Sequence, residues 1–188
     1  MSFLSGLFPF LRNNAEKFEE WTVKVGKKDS DAEGNIDILN RDKLTDMKNY
    51  KAELADFSKD YIAIIDNDDD GKISYDEFEK YNLQEAKDNL SNVTEEQLNE
   101  YKQTLKTIYD RLNIDNENES KDNLDIREVM NYFFTMDQTN ENTTVNGNIS
   151  QYEFETCNGL LADKGLAGEK FAKCVKYYFE HFFKKQSV

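Results

Sequence analysis

Between Asp66 and Glu77 the chain reads DNDDDGKISYDE, six acids in twelve residues around one glycine. Carboxylates this close repel one another, and neither a helix nor a strand gains from them. The stretch is a turn, and its spacing says what kind. Numbered from 1 at Asp66, oxygen-bearing side chains fall at 1, 3, 5, 9 and 12: Asp66, Asp68, Asp70, Ser74 and Glu77. Gly71 stands at position 6, where a sharp turn needs a residue without a Cβ.

A calcium ion takes six to eight oxygens at about 2.3–2.6 Å. Odd positions of a tight turn point inward together and can supply them. Lys72 at position 7 contributes its backbone carbonyl, position 9 acts through water, and Glu77 can give two oxygens at once. Ile73 can pair in a short strand with the matching residue of a neighbouring loop. These residues resemble the EF-hand family, whose loop reads D-x-[DN]-x-[DN]-G-x5-E. A merely solvated acidic loop would explain the acids. It would not explain Gly71, Ile73 and Glu77 in register.

Residues 29–40, DSDAEGNIDILN, fit the same frame with Asp29, Asp31, Glu33, Gly34, Asn35, Ile36 and Asp37. Asn40 stands at position 12, where an amide offers one oxygen and no charge. Calcium is expected to bind there more weakly, with Mg2+ better tolerated. The two loops start 37 residues apart (66 − 29), as two loops that face each other would. A third frame ends at Glu153, with Asn142, Thr144, Asn146, Gly147, Asn148 and Ser150 at positions 1, 3, 5, 6, 7 and 9. An alternative keeps Asp137 at position 1 and loops out NENTT. The stretch 113–128 is too long for twelve residues, and Asp122 occupies the glycine position. It is expected to be a degenerate loop that pairs with the last one. Leu124, Asp125 and Glu128 stand there for positions 8, 9 and 12.

Amphipathic helices flank these loops. Helical patterns cover residues 15–28, 42–65 with a break near Asn49, the segment with Phe78 and Tyr81, 95–112, about 125–136, the segment with Phe154 and Leu161, and about 168–185. Thr94 and Gln97 form a capping box. The 125–136 helix must serve two loops, since eight residues separate Glu128 from Asp137. The chain holds a single proline among 188 residues, and 13 Phe and 10 Tyr can build a core. The expected fold is all-α, with paired EF-hand helix-loop-helix units in two lobes, 14–90 and 94–188, and an additional C-terminal helix. Cys157 and Cys174 lie among apolar residues and are expected to be buried free thiols.

Length, acidity and repeated loops resemble sarcoplasmic calcium-binding proteins and their calerythrin-like relatives over roughly residues 14–162. The resemblance implies an intracellular calcium buffer without catalytic residues. The alternative is a calcium sensor that offers an apolar surface, the N-terminal FLSGLFPFL or the aromatic final helix, to a protein target or membrane. A net charge of −14 disfavours nucleic acid. No apolar run is long enough to span a bilayer and no secretory signal opens the chain, so a cytoplasmic monomer is expected. The lone histidine, His181, has no nucleophile pattern beside it, so an enzyme is not expected.

Overall fold

The structure, a computed structural model, describes residues 36–37, 47–89, 93–114, 123–139, 145 and 147–184. The fold is all-α. Among the described residues the helices are α1 (Met47–Ile65), α2 (Tyr75–Asn89), α3 (Glu95–Leu112), α4 (Ile126–Asp137), α5 (Gln151–Ala162) and α6 (Leu166–Tyr178). The last runs on as a π-helical turn over Phe179–Phe183. Two-residue strands lie at β1 (Ile36–Asp37) and β2 (Asn148–Ile149). The apolar N-terminal segment and the predicted 15–28 helix lie outside the described residues.

Helix starts follow local chemistry. The Thr94 hydroxyl accepts the Gln97 N–H and the Gln97 amide oxygen accepts the Thr94 N–H, as the sequence predicts. Asp125 with Glu128 and Ser150 with Glu153 cap α4 and α5 in the same reciprocal way. Each such cap is worth about 1 kcal/mol. The end of α5 is fixed from a distance. Arg111 on α3 donates through Nη1 to the carbonyls of Leu160, Leu161 and Asp163 at 3.2, 2.7 and 2.7 Å. Those are groups that a helix terminus leaves unsatisfied.

Asn49 itself is helical, in the first turn of α1, and residues 42–46, on the other side of the expected break, lie outside the described residues. Tyr50, Leu54, Phe57, Tyr61 and Ile65 form one buried stripe. Packing along that stripe outweighs the modest helix penalty of one exposed asparagine.

The stripe meets α4. Phe133 is fully buried, with its ring 4.7 Å from Phe57 and 5.0 Å from Tyr61. Its neighbour Phe134 touches Tyr50, Tyr178, Phe182 and Phe183. Edge-on contacts of this kind add about 0.5–1.5 kcal/mol beyond burial. The final helix packs on α4 through buried Val175, Phe179 and Phe183, and Asn131 Nδ2 donates to the Val175 carbonyl at 3.0 Å. In the π turn the Lys184 N–H reaches the Phe179 carbonyl, five residues back, at 2.7 Å. The Lys51 ammonium lies over both rings at the end of this turn, 5.8 Å from Phe182 and 5.4 Å from Phe183. Buried residues from both sides of residue 90 join one core.

Cys157 is buried, and burial pushes its thiol pKa up. Cys174 is exposed, contrary to expectation. It precedes buried Val175 by one residue, and one step along a helix turns a side chain by about 100°. No helix among the described residues is long and apolar enough to cross a membrane.

The loop ends pair differently from the sequence expectation. Ile73 and Leu124 exchange backbone hydrogen bonds at 3.0 and 2.9 Å. Ile36 pairs with Ile149, and Asp37 with Asn148. The exit of loop 66–77 therefore pairs with residue 124, and Ile36–Asp37 with the exit of the last loop. The reason is α4. Its twelve residues span roughly 18 Å. Leu124 precedes its first turn and Ile149 follows its last, so these two loop ends are held apart and each pairs elsewhere.

Candidate metal centre

Loop 66–77 joins α1 to α2, and its backbone is wrapped around its own carboxylates. Asp66 Oδ2 accepts the Gly71 N–H at 2.8 Å and Oδ1 the Asp68 N–H at 3.2 Å. Asp68 Oδ1 accepts the Asp70 N–H, and Asp70 Oδ1 the Lys72 N–H at 2.7 Å. Gly71 has φ +79°, a conformation that costs a side-chain-bearing residue about 1–2 kcal/mol. From the first turn of α2, Glu77 reaches back across the loop. Its Oε1 accepts the Asn67 N–H at 2.7 Å, and its Oε2 accepts the Ser74 N–H and hydroxyl at 2.8 and 2.7 Å.

Three carboxylates converge as a result. One oxygen each from Asp66, Asp68 and Asp70 lies within 4.8 Å of the others. Among the described residues no Lys or Arg is ion-paired with any of the three. Partial desolvation pushes Asp66 up, but the N–H groups of Gly71, Asp69 and Asp70 and the Asp68 side chain outweigh it and lower its pKa. Burial likewise pushes Glu77 up, and the Asn67 N–H with both Ser74 donors outweighs it. Asp68 goes the other way. The Asp70 N–H lowers it, but desolvation and repulsion from Asp70 and Glu77 win and raise it. Repulsion is thus concentrated on the middle carboxylate.

Two other segments repeat part of this skeleton. In 113–128, Glu128 accepts the Ile114 N–H at 2.6 Å and the Asp125 N–H at 3.0 Å, as Glu77 accepts those of Asn67 and Ser74. Asn113 thus stands where Asp66 does. Here the acid at the ninth position has its own cation, since Arg127 donates to Asp125 Oδ2 from Nε and Nη2 at 2.8 and 2.6 Å. In the last loop, Gly147 has φ +79° and its N–H goes to Asp137 Oδ2 at 2.9 Å. Ser150 and Glu153 bond as Ser74 and Glu77 do. Asp137 therefore occupies the place of Asp66, the register that loops out 140–144. It is fully buried, and the Tyr50 hydroxyl donates to the same oxygen at 2.9 Å.

Of the residues the spacing singles out in 66–77, Asp66, Asp68 and Asp70 converge, Ser74 is bonded to Glu77, and Lys72 donates its N–H to Asp70. Asp37 and Asn148 appear only as paired backbone. Asp29, Asp31, Glu33, Asn35, Asn40, Asn142, Thr144 and Asn146 lie outside the described residues. Three contacts escape sequence reasoning because they are long-range: Tyr50 on Asp137, the Tyr109 hydroxyl on the Ile73 carbonyl at 2.9 Å, and Asn123 Nδ2 on Asp70 Oδ2 at 3.2 Å. Burial pushes the Tyr109 phenol up to about 12, so it stays a donor at neutral pH. No family model matches the chain, no curated protein is significantly similar to it, and no solved structure matches its fold.

Proposed function

We propose that the chain is an EF-hand-type calcium-binding protein whose principal site is loop 66–77, and that it serves as a calcium buffer. One observation carries this reading: Asp66, Asp68 and Asp70 converge to within 4.8 Å with no cationic side chain paired to them among the described residues. The sharp turn at Gly71 and the reach of Glu77 add the donors that a large hard cation needs. Asp66, Asp68 and Asp70 supply carboxylates, Lys72 its carbonyl, Ser74 a water-mediated contact and Glu77 two oxygens. Loops 29–40 and 137–153 are proposed as weaker sites, for Ca2+ or Mg2+. In the last of these the buried acid Asp137 is the better first ligand.

Buffering is favoured over sensing because the aromatic faces are already covered. Phe134 is enclosed by α1 and the final helix, and among the described residues three large apolar side chains are exposed: Tyr152, Leu166 and Tyr177. His181 stacks on Tyr177 at 3.9 Å on the exposed side of the final helix, away from the acidic loop in sequence. Calorimetric titration tests the proposal. Calcium should bind with heat that Glu77→Gln removes at the tightest site, and a hydrophobic dye should respond little. Absence of heat with the folded protein overturns the calcium reading. Strong dye binding on calcium addition would favour the sensor.

A further inference from the structure

The strongest long-range contacts to the acidic loop come from the chain between residues 109 and 124. Asp70 is gripped from two sides. Its Oδ1 accepts the Lys72 N–H inside the loop, and its Oδ2 accepts Asn123 Nδ2 from the facing segment. A carboxylate with one anchor rotates about its last torsion, whereas two donors on opposite oxygens fix it. The second contact acts through a peptide plane. The Ile73 carbonyl accepts both the Leu124 N–H and the Tyr109 hydroxyl, each at 2.9 Å. The same rigid peptide unit carries the Ser74 N–H, which donates to Glu77 Oε2 at 2.8 Å. A hydroxyl on the carbonyl side therefore holds, through one plane, the donor that aims Glu77. The Tyr109 ring is seated independently, 5.4 Å from Tyr75 and 5.7 Å from Phe78.

Resting on the reading of 66–77 as the cation site, we propose that Asn123 and Tyr109 are positioning residues for that site. Asn123 acts on Asp70 and Tyr109 on Glu77, so the segment facing the loop tunes both its calcium affinity and its preference for calcium over magnesium. The preference follows because calcium uses a bidentate glutamate, while magnesium is content with fewer protein oxygens.

The test titrates Ca2+ and Mg2+ into the wild type, Asn123→Ala, Tyr109→Phe and Glu77→Gln. Tyr109→Phe keeps the ring and loses only the hydroxyl. Each positioning variant should weaken calcium by about three- to tenfold. Tyr109→Phe should leave magnesium affinity unchanged, and Asn123→Ala should not alter the calcium-free melting temperature. A merely structural role for Tyr109 predicts equal weakening of both ions, and that result overturns its assignment. Calcium binding that Glu77→Gln abolishes but that both variants keep at wild-type strength overturns the positioning proposal alone. No calcium binding by the wild type overturns the site itself.

Discussion

In loop 66–77 the first carboxylate, Asp66, accepts a glycine N–H and stays partly exposed among other acids. In 137–153 its counterpart Asp137 accepts a glycine N–H too, but is fully buried with a tyrosine hydroxyl on the same oxygen. The backbone skeleton is nearly the same, with φ +79° at both glycines and a serine–glutamate cap at the exit. The surroundings of the first acid differ. The skeleton is therefore a folding device, satisfied by backbone N–H groups whether or not charge accumulates. A surplus of carboxylates is an addition to it, present where Asp68 and Asp70 join Asp66.

The comparison can be broken most forcefully through α4, which leads into 137–153 and packs on α1, the helix that leads into 66–77. Phe133→Ala should cost about 3–5 kcal/mol, read by urea denaturation, and should loosen both loops in one transition. Separate transitions would show that α4 does not unite them. Glu77→Gln separates charge from skeleton. It should weaken the proposed site on the order of a hundredfold while far-UV circular dichroism without calcium stays unchanged. Asp137→Asn should behave in the opposite sense. We expect a stability loss of about 1–3 kcal/mol, because Tyr50 and Gly147 lose a charged acceptor, with the tightest calcium affinity preserved. A drop in that affinity would mean the two loops are not independent in this respect. Alanine at Gly71 or Gly147 should cost about 1–2 kcal/mol each from the left-handed backbone, and equal costs by thermal melting would support the shared skeleton.

Acid gives the smallest and most graded effect. Asp68 has a raised pKa and should take a proton before Asp66 or Glu77, whose pKa values are lowered, so calcium affinity should begin to fall before those two titrate. For stability the signs differ. Asp66 and Glu77 are lowered in the folded state, so their contribution is present above their unfolded pKa and is lost as pH falls through the folded value. Asp68 is raised, so its protonation opposes that loss. Calorimetric Kd values and melting temperatures between pH 7 and acid would separate the two trends.

What could be read in advance was local. The turn at Gly71, the Thr94–Gln97 capping box, α4 between two loops and the extent of α3 all depend on residues within a few positions of one another. What could not be read was set at a distance. Nothing near Tyr50 and Phe57 announces that Phe134 and Phe133 wait to bury them. Nothing in the apolar residue at each loop end says which partner it takes, since all four have the same chemistry. Tyr50, Tyr109 and Asn123 look like ordinary helix or loop residues until tertiary structure places them. Asp137 was one of two registers, and the Gly147 N–H marks its equivalence to Asp66.

The nested pairing of loop ends has a consequence for how the chain is made. Ile73 waits 51 residues for Leu124 (124 − 73), whereas Ile36 waits 113 for Ile149 (149 − 36). At a synthesis rate of about 5–20 residues per second, the outer partners emerge roughly 6–23 s apart. The inner partners are thus both synthesised while the outer strand still lacks its mate. Chains stalled on the ribosome before residue 149 should leave Ile36 open to protease, and those released should not.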